Sequence, residues 1–185
     1  MNNAKTKQVI SLILAATLLV LGVGCSKEPS KEEGKTAENT GAISGGAPAL
    51  YQEGVEAYQA GKFSVAADKF KELAEQGDAS AQFNLGSLYR QGQGVSQDDK
   101  QAALWWAKAA DQGHTDAMDN LGLRYAKGEG VEQDLVQAYK WFSIAGMNKN
   151  ASAAANAKFA SSQLTPDQIE QAQILAKEWM AQHQK

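Results

Sequence analysis

Part of this chain is written twice. Shifted by 36 residues, Ala81 falls on Ala117, Asn84 on Asn120, Leu85-Gly86 on Leu121-Gly122 and Tyr89 on Tyr125. Gly92, Gly94 and Val95 then fall on Gly128, Gly130 and Val131, and Gln97-Asp98 on Gln133-Asp134. Gln101-Ala102, Trp105 and Ala109 meet Gln137-Ala138, Trp141 and Ala145, which makes fourteen identities in 36 positions without a gap. Composition alone does not produce that. A unit this short cannot bury its apolar face by itself, so it must stack on its neighbours.

Each repeated residue has a physical use. Ala81, Leu85 and Tyr89 recur at i, i+4 and i+8, one stripe of a helix. Gly86 removes a side chain where a second helix must come close. Gly92 and Gly94 end the first helix, where left-handed backbone costs least for glycine. Val95 turns back into the core, and Asp98 stands where a carboxylate can accept from the free amides of the next helix. Ala102, Trp105 or Trp106, and Ala109 line that helix's buried side.

The pattern A…LG..Y..G.GV..D...A..W...A resembles the Sel1-like repeat, a relative of the tetratricopeptide repeat. The resemblance implies an all-α solenoid of antiparallel helix pairs over residues 49–163, clearest at 78–113 and 114–149. Upstream, Gly54, Tyr58, Gly61, Phe63, Ala66 and Phe70 look like an ordinary tetratricopeptide unit with a shorter turn. Downstream, Ala153 and Asn156 keep the first-helix register, but Lys158 and Ser161 stand where Gly and Tyr belong. Thr165-Pro166-Asp167-Gln168 is a helix start with a threonine cap, proline in the first turn and glutamine three beyond the cap. Ile169, Ala172, Leu175, Ala176 and Trp179 give the following segment one apolar side, suited to a C-terminal capping helix over 164–185. Eight helices are expected, at about 49–60, 63–76, 79–91, 98–112, 115–127, 134–147, 150–163 and 166–183.

The first 24 residues have a different character. Lys5 and Lys7 precede an uncharged run from Val9 to Val23, too short to span a hydrocarbon core of ~30 Å with ease but suited to a secretory signal. Gly22-Val23-Gly24 leads to Cys25, the only cysteine. This stretch resembles a bacterial lipoprotein signal, with Gly22 where the family usually has leucine. The resemblance implies cleavage before Cys25 and its acylation with fatty acids such as palmitate. Two or three acyl chains hold a protein at a membrane where one does not. By the family's sorting rule Ser26 favours the outer membrane, facing the periplasm or the cell surface. A plain secretory signal, or an N-terminal anchor with an incidental cysteine, is the alternative. Residues 25–48 are rich in Ser, Gly, Lys and Glu without apolar periodicity and are expected to form a flexible tether. As a random coil, its 22 residues from Ser26 to Ala47 would span roughly 25 Å.

Without residues 1–24 the chain holds 16 basic against 21 acidic side chains, a net charge of −5. It lacks the basic footprint that nucleic acids require. One cysteine allows neither an internal disulfide nor a cysteine-based zinc cage. Gly92-Gln93-Gly94 and Gly128-Glu129-Gly130 lack the strand and lysine of a phosphate-binding loop. Asp98-Asp99 and Asp116 with Asp119 invite a glycosidase or calcium reading, but caps and a solvated face account for them. His114 is placed at a helix start and His183 near the C-terminus, with no role in catalysis or metal binding. Trp105, Trp106, Trp141, Phe142 and Trp179, at helical spacing, are expected in the core. No catalytic residue, metal ligand or cofactor is therefore expected.

What remains is surface. In the family resembled, the first helix of each pair lines the concave face. Carried over residue by residue, that places Phe83, Asn84, Ser87 and Gln91 of one repeat, and Asp119, Asn120, Leu123 and Lys127 of the next, along a groove for a protein or peptide. Phe83 and Leu123 stand out as apolar anchors, and Asn84 and Asn120 suit either a ligand backbone or the repeat's own bonding. The expected function is an envelope-anchored scaffold for protein binding, with partner and oligomeric state left open. The alternatives are binding or hydrolysis of a cell-wall fragment or β-lactam, as in cysteine-rich Sel1 relatives, and a purely structural envelope role.

Overall fold

A computed structural model describes residues 47–183. The expected signal peptide, Cys25 and most of the tether lie outside the described residues. Within them the chain forms eight helices, α1 (Ala47–Gln59), α2 (Phe63–Glu75), α3 (Ala79–Gln91), α4 (Asp99–Asp111), α5 (Thr115–Lys127), α6 (Leu135–Met147), α7 (Ala151–Ser161) and α8 (Pro166–His183). The helix order is the expected one. α1 begins at Ala47, two residues before the expected 49. Pro48 is no obstacle there, because a first-turn residue needs no N–H for an intrahelical bond.

Caps set the boundaries, and they repeat. The Asp98 carboxylate accepts from the Lys100 and Gln101 amides at 2.9 and 3.0 Å, and Asp134 does the same for Val136 and Gln137 at 2.8 and 3.0 Å. The first helices of the pairs are capped at the same register by three residue types. Ala81 N–H donates to Asp78 at 2.6 Å, Ala117 N–H to His114 Nδ1 at 3.3 Å, and Ala153 N–H to Asn150 at 2.9 Å. At α8, Gln168 N–H donates to Thr165 Oγ1 at 3.3 Å while Gln168 Oε1 accepts from Thr165 N–H at 2.9 Å, a reciprocal capping box.

Helix pairs close through a glycine on the first helix and an aromatic ring on the second. A Cβ at Gly86 would stand 2.8 Å from the Trp106 ring, one at Gly122 2.6 Å from Phe142, and one at Gly54 2.8 Å from Phe70. Trp105, Trp106, Trp141 and Phe142 are buried, with Leu85, Leu88, Met118 and Leu121 around them. Burying each such side chain contributes about 1.5–3 kcal/mol.

The Gly-x-Gly loops connect the two helices of a repeat and press on the repeat before it. Gly92 and Gly128 cap α3 and α5 at φ 66° and 71°. Gly94 and Gly130 follow at φ 72° and 76°, and each presses on the first turn of the second helix of the preceding pair. A Cβ on Gly94 would lie 2.2 Å from the Phe63 carbonyl group, and one on Gly130 2.1 Å from the Asp99 carbonyl oxygen.

The stack changes at its C-terminal end. α7 carries Lys158 where Gly54, Gly86 and Gly122 admit a ring. α8 packs on α6 rather than pairing with α7, with Trp179 edge-on to Trp141 at 5.8 Å between ring centres. An apolar cleft of about 420 Å³ remains between α7 and α8, floored by Tyr139 and Met147 of α6.

Candidate functional site

The first helices of the first two pairs, α1 and α3, stand side by side and enclose a cavity of about 440 Å³. Its α3 wall is Phe83, Asn84, Ser87 and Gln91, the whole first set picked out by the repeat register. The opposite wall is Tyr51, Val55, Tyr58 and Gln59 of α1, and Phe70 lies at the base. The spacings i, i+4, i+7 and i+8 on α1, and i, i+1, i+4 and i+8 on α3, bring both rows to one side of their helices.

The cavity is polar at its ends and apolar between. At one end Asn84 Nδ2 donates to the Tyr51 hydroxyl at 2.9 Å. At the other stand Gln59 and Gln91, both exposed. Val55 lies between these ends, Phe83 stands beside Asn84, and Ser87 donates its hydroxyl to the Phe83 carbonyl oxygen at 3.0 Å.

The second set has a different fate. Asp119 is buried and accepts from Asn156 Nδ2 at 2.9 Å, which ties α5 to α7. Leu123 occupies the register position of Ser87 and packs beside Ala138, Phe142 and Ala160. Asn120 is half-buried and Lys127 is exposed at the end of α5, and neither lines the cavity. Ser87 thus borders the cavity shared with α1, while Leu123 packs towards α6 and α7. The α1 wall is not among the residues the repeat register singles out. Its signal was the spacing of Tyr51, Val55, Tyr58 and Gln59 in a unit whose shorter turn puts it out of the 36-residue register.

Phe83 has two roles. One side of it closes the cavity, and its ring stacks on the His114 imidazole with centres 4.6 Å apart and planes 17° from parallel. It also packs at the edge of the core cluster around Trp106 and Met118. His114 caps α5 through Nδ1, so its proton sits on Nε2. Burial lowers its pKa below the usual 6.5, against the weaker opposing pull of Asp116 and Asp78. The folded state therefore holds the imidazole neutral. Its contribution to stability is complete above pH 6.5 and falls as pH drops through 6.5 towards the lower folded value. A protonated ring cannot accept from Ala117 and puts positive charge at a helix N-terminus. Urea unfolding at pH 7.5 and pH 5 should show a loss at the lower pH. His114→Asn, which installs the kind of cap that Asn150 gives α7, should largely remove that loss. An equal loss in that variant would exclude His114 as the cause.

The other carboxylates of the two acidic clusters have structural partners. Asp98 caps α4, Asp99 approaches Arg90 at 3.7 Å, and Asp116 accepts from Asn150 at 3.1 Å. Among the described residues no group of three or more His, Cys, Asp or Glu converges as a metal site would. Nor is any helix among them long and apolar enough to cross a membrane.

A protein-family model described as Sel1 repeat matches residues 79–114 and 115–150. A crystal structure of a protective antigen present in uropathogenic Escherichia coli strains, displaying an SLR fold, is 36% identical with a TM-score of 0.72. That match covers 75% of this chain and 31% of the antigen. A Sel1 repeat protein from Oxalobacter formigenes is also 36% identical, with a TM-score of 0.53, over 56% of this chain and 41% of that one. The chain thus spans less than half the length of either. No curated protein sequence matches it. Proteins built on this fold typically act as scaffolds for protein–protein interaction. Residues 79–150 thus match two consecutive Sel1 repeats, set within a stack of antiparallel helix pairs of the Sel1/tetratricopeptide-like kind.

Proposed function

We propose that this chain is an envelope-anchored adaptor that binds a protein or peptide in the groove between α1 and α3. The observation that carries the reading is the meeting of Phe83, Asn84, Ser87 and Gln91 with Tyr51, Val55, Tyr58 and Gln59 around one cavity. An open apolar centre with convergent polar groups at its rim is the usual form of a binding site. Lipidation at Cys25 supplies the anchor, and the outer membrane, facing the periplasm or the cell surface, is the site of action. The lipobox-like run before Cys25 supports this part of the reading.

Crosslinking in native envelopes tests the adaptor. A partner captured by the wild type should be lost on Asn84→Ala combined with Gln91→Ala, while circular dichroism stays unchanged. An identical set of captured proteins would refute the groove. Metabolic labelling with an alkyne fatty acid tests the anchor separately: the wild type should take up label and Cys25→Ser should not. A wild type without label would remove the lipid from the proposal.

A further inference from the structure

We infer that the α1/α3 groove selects an extended peptide segment without charged side chains, seating one apolar side chain between two polar contacts. This rests on the adaptor reading and specifies the partner's chemistry.

None of the nine lining residues is Asp, Glu, Lys, Arg or His. The charges on the two wall helices are engaged elsewhere. α1 carries Glu53 and Glu56, and α3 carries Arg90. Glu53 pairs with Lys69 at 2.7 Å, Glu56 accepts from Gln52 at 3.1 Å, and Arg90 lies 3.7 Å from Asp99. A charged group entering the groove would lose water without gaining a counter-ion, which is unfavourable.

The polar groups suit a peptide backbone. Asn84 uses an N–H on Tyr51, which leaves the Tyr51 hydroxyl proton to donate and the Asn84 Oδ1 to accept. One donor and one acceptor side by side complement the C=O and N–H of a single residue in an extended segment, which point to the same side. At the far end the Gln59 and Gln91 amides offer the same pair of functions. Val55 and Phe70, with Phe83 beside Asn84, can take one apolar side chain. Affinity from such contacts depends little on ionic strength, since screening acts on charges.

The test is selection from a random octapeptide display library on the full chain in detergent. Gln59→Lys/Gln91→Lys serves as the comparison; both positions are exposed, so the fold should tolerate the change. Wild type should enrich windows of three or four uncharged residues around one apolar side chain. Their affinity should change less than about two-fold between 50 and 500 mM salt. The lysine variant should bind these sequences at least about five-fold more weakly or shift to acidic ones, and become salt-sensitive. Enrichment of Asp, Glu, Lys or Arg within the wild-type window would overturn the selectivity while leaving the groove as a peptide site. Absence of any peptide enriched over the lysine variant, or binding of cell-wall disaccharides in place of peptides, would overturn both.

Discussion

Gly130→Ala should unfold in urea with a stability loss of about 3 kcal/mol or more, among the largest of any single methyl addition in the chain. Two costs coincide there. The backbone sits at φ 76°, a region L side chains rarely occupy, and the new Cβ would lie 2.1 Å from the Asp99 carbonyl oxygen. That atom belongs to the first turn of α4 and cannot move like the tip of a flexible side chain. Gly113→Ala is the control. Gly113 also has positive φ, 89°, but a Cβ there meets nothing within 4 Å. It should therefore lose only the backbone term, about 1 kcal/mol. If chemical denaturation finds the two variants equally destabilised, the loop of one repeat does not hold the helix of the other. Gly94→Ala, facing Phe63 in the earlier repeat, should follow Gly130→Ala.

Glu129→Ala should cost about 3 kcal/mol, because it strands a buried cation. Arg124 is almost wholly buried on α5, over the Trp106 ring at 5.8 Å, and donates from Nη1 to Glu129 in the following loop. Its Nε has no partner, and desolvation, only partly offset by Glu129, lowers its pKa. The sibling repeat has Leu88 at this register position, also buried. Arg124→Leu should accordingly be neutral or stabilising by up to about 2 kcal/mol, as replacement of buried ion pairs by packed aliphatics often is. Asp99, close to Arg124, would keep Arg90 as its partner. Combining Glu129→Ala with Arg124→Leu should recover most of the loss, and a double-mutant cycle measures it directly. Additive single effects would show that the two side chains do not act as a pair.

The stack was legible in the sequence because its rules are local and repeated. Leu85 and Tyr89 mark the buried stripe, Asp98 and Asp134 cap, and Gly86 and Gly122 make room for rings, all within one 36-residue unit. The Thr165–Gln168 capping box was equally local. Nothing local announced that Gly94 and Gly130 lock neighbouring repeats, because the atoms they meet lie about 30 residues earlier. Nor did the spacing of α8 show that it would settle on α6, since an apolar side fits any open apolar face. The exchange of Leu88 for Arg124 could be seen in the alignment of the two repeats, but its burial beside Glu129 could not.

The site divides along the same line. Helical pitch decides which α3 residues share a face, and the family resemblance indicated which of those faces lines a groove. Whether that face stays open depends on what the neighbouring helix brings to it, and this only the packed stack decides. Opposite Ser87 the α1 residues leave a cavity, whereas its counterpart Leu123 packs beside Phe142 and Ala160, towards α6 and α7. Two positions alike in register thus end against different neighbours. The difference comes from packing across helices that the chain brings together only on folding.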